Sequence, residues 1–215
     1  MRLAAVKRLH ATWRRRFPRS EFFYNSSTVP EIPPTNGETL VPQPEPINLF
    51  SAVDVLAILR EKSWLSDDPN EKQSEWCTRA AALLGPQVPA CAALAELLGL
   101  VFHYDAKSIL QTTDAHIVMS RYAARDVLRE LALLLLDGAE LTTDRFREII
   151  TQLKDGLDLR GRELFHPLRL ALAGRSGEGE LDRVILLLDE AAAAGFPAPV
   201  KTARERILEF CSVFE

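Results

Sequence analysis

Five cations lie close together between positions 154 and 175 of this chain: Lys154, Arg160, Arg162, Arg169 and Arg175. Guanidinium forks match phosphate oxygens and base edges, so such a run suits contact with a phosphate-bearing partner. The plainer reading is ordinary surface charge, or salt bridges to the interspersed Asp155, Asp158 and Glu163. Arg169, between Leu168 and Leu170, is the member best suited to a structural role. A second basic stretch, Met1 to Ser20, carries Arg2, Lys7, Arg8, Arg14, Arg15, Arg16 and Arg19 and no acid. Val6, Leu9, Trp13 and Phe17 would form one apolar stripe on a helix there. Such a helix could meet nucleic acid, an anionic membrane or a partner groove, or serve as a transit peptide. It could equally dock by its stripe onto the main body.

No constellation for catalysis stands out. The histidines are His10, His103, His116 and His166, and none has a second His at metal-ligand spacing. Each reads as a surface or satisfied core residue. The chain has no G-x-S-x-G elbow, no phosphate loop of the G-x-x-x-x-G-K-[ST] type and no G-x-G-x-x-G. Gly174 to Gly179 reads as a turn between helices. The paired acids Asp67-Asp68 and Glu178/Glu180 are explained by helix capping. No cofactor, metal ligand set or catalytic residue is expected.

These cations need a scaffold, and the composition supplies one. The chain has 215 residues, 47% of them hydrophobic, with a net charge of -4. A globally basic nucleic-acid binder is excluded, although a local basic face is not. Cys77, Cys91 and Cys211 are widely spaced and odd in number, which suits reduced thiols and a cytoplasmic setting. The longest apolar run, Leu131 to Leu136, is six residues, far short of the roughly 18 needed to span a bilayer.

Prolines 30, 33, 34, 42, 44 and 46 mark residues 21–48 as an extended linker. From Leu49 onward the periodicity is helical, with no convincing strand. Leu49, Val53, Leu56 and Leu59 fit a first helix ending near Lys62. Asp67-Asp68-Pro69 should start a second, carrying Trp76 and stopping at Gly85-Pro86. Val88 to Phe102 fits a third, with Pro89 in its first turn. Thr113-Asp114 should open a long fourth through Leu136, and Thr142-Thr143-Asp144 a fifth through about Leu153. A short sixth should run from Pro167 to Ala173, a seventh from Leu181 to Ala194, and the last from Lys201 to Phe214. Phe165, Leu168, Leu170 and Leu172 are expected in the core.

The block Leu159 to Arg175, LRGRELFHPLRLALAGR, resembles the K-G-[KR]-x-L-[FM]-x-P-L-R-x-A-L-T-G signature of glutamyl-tRNA synthetases. Gly161-Arg162, Leu164-Phe165, Pro167-Leu168-Arg169, Ala171-Leu172 and Gly174 match it. Trp64-Leu65, the helix with Trp76, the stretch LLGLVFHYD from Leu97, and Leu141-Thr142-Thr143-Asp144 with Phe146 also follow the family's order. So do Leu181 and Leu186-Leu187-Leu188, and the likeness runs from about Trp64 to Asp189. Arg160 stands for the usual Lys, Ala173 for Thr and Gly179-Glu180 for Gly-Pro. The leucine-rich helix lacks the L-G-K-E ending, and Gly195 to Glu215 has no counterpart. H-x-G-H-like and K-M-S-K-S-like motifs are absent, and the segment before Trp64 is too short for a catalytic Rossmann domain.

The resemblance implies an all-α fold of two packed helical subdomains, 49–112 and 113–215, of the anticodon-binding type. They would follow a basic segment, 1–20, and a linker, 21–48. It implies a module binding glutamate-type tRNA through Lys154, Arg160, Arg162, Arg169 and Arg175, without aminoacylation of its own. A helical protein-interaction module that has lost RNA binding is the alternative, its partner held by the N-terminal basic helix or the Pro-rich linker. The non-catalytic half of a split glutamate–tRNA ligase is another.

Overall fold

The structure, a computed structural model, describes residues 48–214. They lie within one compact unit. The expectations for the basic segment 1–20, and for the linker up to residue 47, lie outside the described residues. Eleven α-helices make up the described chain: α1 (Ala52–Glu61), α2 (Glu71–Leu84), α3 (Cys91–Phe102), α4 (Ala106–Leu110), α5 (Thr113–Met119), α6 (Ala124–Leu135), α7 (Thr143–Leu157), α8 (Arg162–Ala173), α9 (Glu180–Ile185), α10 (Leu188–Ala194) and α11 (Ala203–Phe214). The unit is all-α, and among the described residues no helix is long and apolar enough to cross a membrane.

Several boundaries differ from those the periodicity gave, each for a local reason. In α1 the buried stripe is Val55, Ile58 and Leu59, while Leu49 and Val53 face solvent. The second helix starts at Glu71, because Asn70 and Gln73 cap each other reciprocally at 2.9 and 3.0 Å. Asp68 instead pairs with Arg60. The third starts at Cys91, since Val88 before Pro89 is extended. Asp105 caps a short α4 that the pattern did not reveal. The long fourth helix is two: Ser120 returns its hydroxyl to the Ile117 carbonyl, and the chain turns before α6. The seventh breaks near Leu187, where the indole of Trp76 donates to the Leu187 carbonyl at 3.0 Å.

The core is continuous across helices on both sides of residue 112. One anchor is aromatic. Phe102 stacks on Trp64 at 4.7 Å, and Trp76 and Phe196 meet it edge-on at 5.8 and 5.3 Å. Offset and edge-on arrangements suit the ring quadrupoles. A second anchor joins helix ends. Asn70 and Gln73, at the start of α2, donate to the Ala194 and Gly195 carbonyls at the end of α10. Those carbonyls have no partner within their own helix, so the contact satisfies groups that burial would otherwise penalise.

The third anchor is Arg206 of α11, which is fully buried. Its guanidinium donates to the carbonyls of Leu100 (2.9 Å), Val101 (2.5 Å), Leu172 (2.9 Å) and Lys201 (3.2 Å). Leu100 and Val101 lie in the last turn of α3, and Leu172 in the last turn of α8, where carbonyls are orphaned and a cation is favoured. Tyr104 lies under the guanidinium, 4.6 Å from ring centroid to Cζ, and its hydroxyl donates to Ala171 at 2.5 Å. Burial pushes the Arg206 guanidinium down to about 10, so it stays charged at neutral pH.

Removing that side chain orphans three buried helix-end carbonyls at once. Arg206→Met should therefore cost about 3–5 kcal/mol, read as a lower urea midpoint, whereas an exposed charge such as Arg204→Met should cost under about 0.5 kcal/mol. Equal midpoints for the two variants would refute the anchoring role.

Candidate nucleic-acid interface

The signature block folds as the α7–α8 corner, helix α8 and the loop that follows it. Asp158 ends α7 in the left-handed region (φ 55°), and Gly161 opens α8 at φ 57°, ψ −138°. The backbone of Gly161 is essentially restricted to glycine, and no neighbouring atom lies within 4 Å of a Cβ built there. The requirement at Gly161 is thus conformational. The Gly161 carbonyl accepts from Leu164 and Phe165 and closes the first turn. Helix α8 consequently begins at Arg162, ahead of the expected start at Pro167, and Pro167 sits inside it. Proline there deprives the Glu163 carbonyl of its helical donor.

From Pro167 to Ala173 every residue of α8 is buried. It packs against α5, α6, α9 and α11 and forms the central strut of the unit. Gly174 then ends it in the left-handed region (φ 80°), as a C′ glycine does. Ser176 donates its hydroxyl to Asp114 at 2.7 Å, tying the following loop to the first turn of α5.

The five expected cations divide by position. Arg169 is buried. Its Nε and Nη2 donate to the two oxygens of Asp182 at 2.7 and 2.8 Å, and its Nη1 to the Gly177 carbonyl at 2.5 Å. It also stacks over Phe165 at 4.8 Å. This bidentate pair fixes the loop 174–179 against α9. Arg160 and Arg162 are exposed at the α7–α8 corner, and Lys154 lies half-buried near the end of α7 with its ammonium 5.6 Å from the Phe165 ring centroid. Phe165, expected in the core, is only partly buried, with Lys154 and Arg169 over its ring. Arg175 is exposed at the other end of α8, about 18 Å along the axis for 12 helical residues. Among the described residues, Lys154, Arg160, Arg162 and Arg175 form no ion pair, with Asp155, Asp158, Glu163 or any other acid.

Two further groups join the corner. Arg121, in the turn between α5 and α6, places its Nη1 3.4 Å from the Arg162 carbonyl and 3.4 Å from Nδ1 of His166. Burial, then the charges of Arg121, Arg162 and Arg169, hold the His166 imidazole below its usual value. Sequence spacing could not reveal this pairing, because Arg121 lies in a separate helical segment, far upstream of His166. His166 sat inside the signature block but showed no partner there.

The buried Arg169–Asp182 pair makes a direct prediction. Asp182→Asn leaves a buried guanidinium without its countercharge, which should cost about 2–3 kcal/mol, the low end because Asp182 is partly exposed. Urea unfolding measures the loss. A change below about 0.5 kcal/mol, the size expected of an ordinary surface substitution, would show that the pair is replaceable by water.

Comparison with known proteins covers the same segment of the chain. The family described as anticodon binding domain matches residues 52–192. The chain is 27% identical over 123 residues to glutamate–tRNA ligase 2 of Syntrophus aciditrophicus (strain SB), covering 57% of this chain and 25% of that protein. It is 26% identical over 141 residues to glutamate–tRNA ligase of Bacillus subtilis (strain 168), covering 63% and 27%. A third relative, glutamate–tRNA ligase of Exiguobacterium sibiricum, is 26% identical over 133 residues, covering 62% and 27%. The chain spans about a quarter of the length of these curated relatives. No solved structure matches. The matched segment takes in α1 to α9 and most of α10, with the α7–α8 corner and the cation set inside it; this chain belongs to the anticodon binding domain family.

Proposed function

We propose that this helical unit binds the anticodon arm of a tRNA, of glutamate type, and does not itself aminoacylate it. The observation that carries the reading is the set Lys154, Arg160, Arg162 and Arg175. These cations flank the central strut α8, and among the described residues no carboxylate holds them. Cations already paired would have to break an ion pair to meet a phosphate, whereas these have none to break among the described residues. Arg169 contributes through position. It holds the loop that carries Arg175. The ligase names of the relatives support the choice of glutamate tRNA, and a cytoplasmic setting follows from a translation role. A protein partner on the basic segment or the Pro-rich linker, and a catalytic partner encoded separately, belong to the same proposal as additions to it.

The test is a binding titration with glutamate tRNA and with an unrelated tRNA over a range of salt. Each neutralised phosphate contributes about 0.7–0.9 to the slope of log K against log salt. Replacing Arg160, Arg162 and Arg175 together by Gln should weaken binding about 10-fold or more and lower the slope by about 2–3. No binding at low salt would end the tRNA reading, and equal affinity for both tRNAs would end the glutamate assignment.

A further inference from the structure

The corner where Arg121 meets His166 differs from the rest of the cationic surface, because one of its members can change charge near neutral pH. Nδ1 of His166 lies 3.4 Å from Arg121 Nη1, and because an arginine side chain can only donate, a hydrogen bond there requires Nδ1 to be the unprotonated acceptor. At 3.4 Å, and with the same Nη1 shared with the Arg162 carbonyl, the bond is long and weak. Arg121 therefore keeps most of its donor capacity for another acceptor.

Four charged groups act on the imidazole, and Arg121 is the one in contact with it. Arg121 comes from the α5–α6 turn, Arg162 and Arg169 from its own helix, and Glu178 from the loop after α8. Arg169 is neutralised by Asp182, and Glu178 is the one acid of the four. Arg121 and Arg162 have no carboxylate in ion-pair range among the described residues. A proton arriving on Nδ1 would abolish the bond from Arg121 and set a third positive charge beside two others. An oxyanion seated at Arg121 and His166 reverses the balance, because it attracts both, gains from the field of Arg162 and gives the new N–H an acceptor.

We propose that Arg121, Arg162 and His166 form a phosphate-binding site in which seating an RNA backbone phosphate is coupled to uptake of one proton by His166. This rests on the tRNA-binding reading for the identity of the phosphate, while the anion site stands on the local geometry. The sign follows from linkage. The free site holds the imidazole below its ordinary value, and a bound phosphate raises it. Between those two values the complex holds more protons than the free protein, so affinity rises as pH falls. Outside that window the site contributes no pH dependence.

The test compares tRNA affinity of the full chain at about pH 7.5 and about pH 5.5, at constant ionic strength, within the range where histidine titrates. The wild type should bind about 3- to 10-fold tighter at the lower pH, and His166→Gln should show no such gain. His116→Gln, at an exposed histidine in α5, should behave as the wild type. In parallel, the His166 imidazole of the wild type is titrated by NMR with inorganic phosphate and with chloride, and phosphate should move its midpoint upward. Tight tRNA binding with a flat pH profile, or the same gain in His166→Gln, overturns the proton coupling while the tRNA reading stands. If no tRNA binds at any pH, the tRNA reading falls, and the NMR arm alone decides the site. An upward shift with phosphate supports it, and an unchanged midpoint overturns it.

Discussion

A buried guanidinium surrounded by backbone carbonyls organises this molecule. Arg206 enters the core without a carboxylate partner at ion-pair distance among the described residues, and spends its donors on the ends of α3 and α8 and on Lys201. Each of those carbonyls would otherwise be an unsatisfied acceptor in an apolar interior, and the charge would otherwise face the full penalty of leaving water. Each side needs the other. The aromatic cluster around Phe102 and the central strut α8 both end within reach of this one side chain, so the two hydrophobic centres are held in register by a polar contact. Lys201, donating to Glu209 at 2.5 Å and to the Tyr104 carbonyl at 3.1 Å, adds to the same junction at the start of α11.

The packing of α8 bears on how a chain of net charge -4 can leave Lys154, Arg160, Arg162 and Arg175 without an ion pair among the described residues. The helix is buried over its whole second half, so packing holds it, and the Arg169–Asp182 pair fixes the loop that follows. Several acids elsewhere are committed, whereas Asp155, Asp158 and Glu163 beside the cations form no ion pair among the described residues. Asp182 holds Arg169, Glu190 holds Arg79, and Asp189 accepts from the backbone N–H groups of Leu141 and Ala203. Local potential depends on which charges lack a neighbour, and the net sum says little about it.

Much of this was legible in the residues, and the limits have physical causes. The all-α class followed from helical periodicity, because most helices bury one face only. Gly174 as the C′ residue and Arg169 as a structural cation were readable from position alone. Helix breaks were not. The one at Leu187 depends on an indole donated from residue 76, and the one at Ser120 on a hydroxyl that competes with the helical ladder. Pro167 suggested a helix start, but Gly161 supplied the unusual backbone that begins the helix earlier. Arg206 gave no signal, since an isolated arginine in an amphipathic helix normally faces water. Arg121 and His166 escaped for a similar reason: their relation exists only in the folded chain.

The ties between helix ends also bear on how the chain reaches this state. Asn70 to Ala194, Gln73 to Gly195, Trp76 to Leu187 and Arg206 to Leu100 join residues separated by 124, 122, 111 and 106 positions. Helical proteins usually fold fast because their contacts are local, but these hydrogen bonds require large loops to close before they contribute. Helices α2 and α3 can form early in synthesis, yet their exposed ends and the indole of Trp76 wait for partners far later in the chain. The last of those ties can therefore close only after the segment bearing Arg206 has emerged from synthesis.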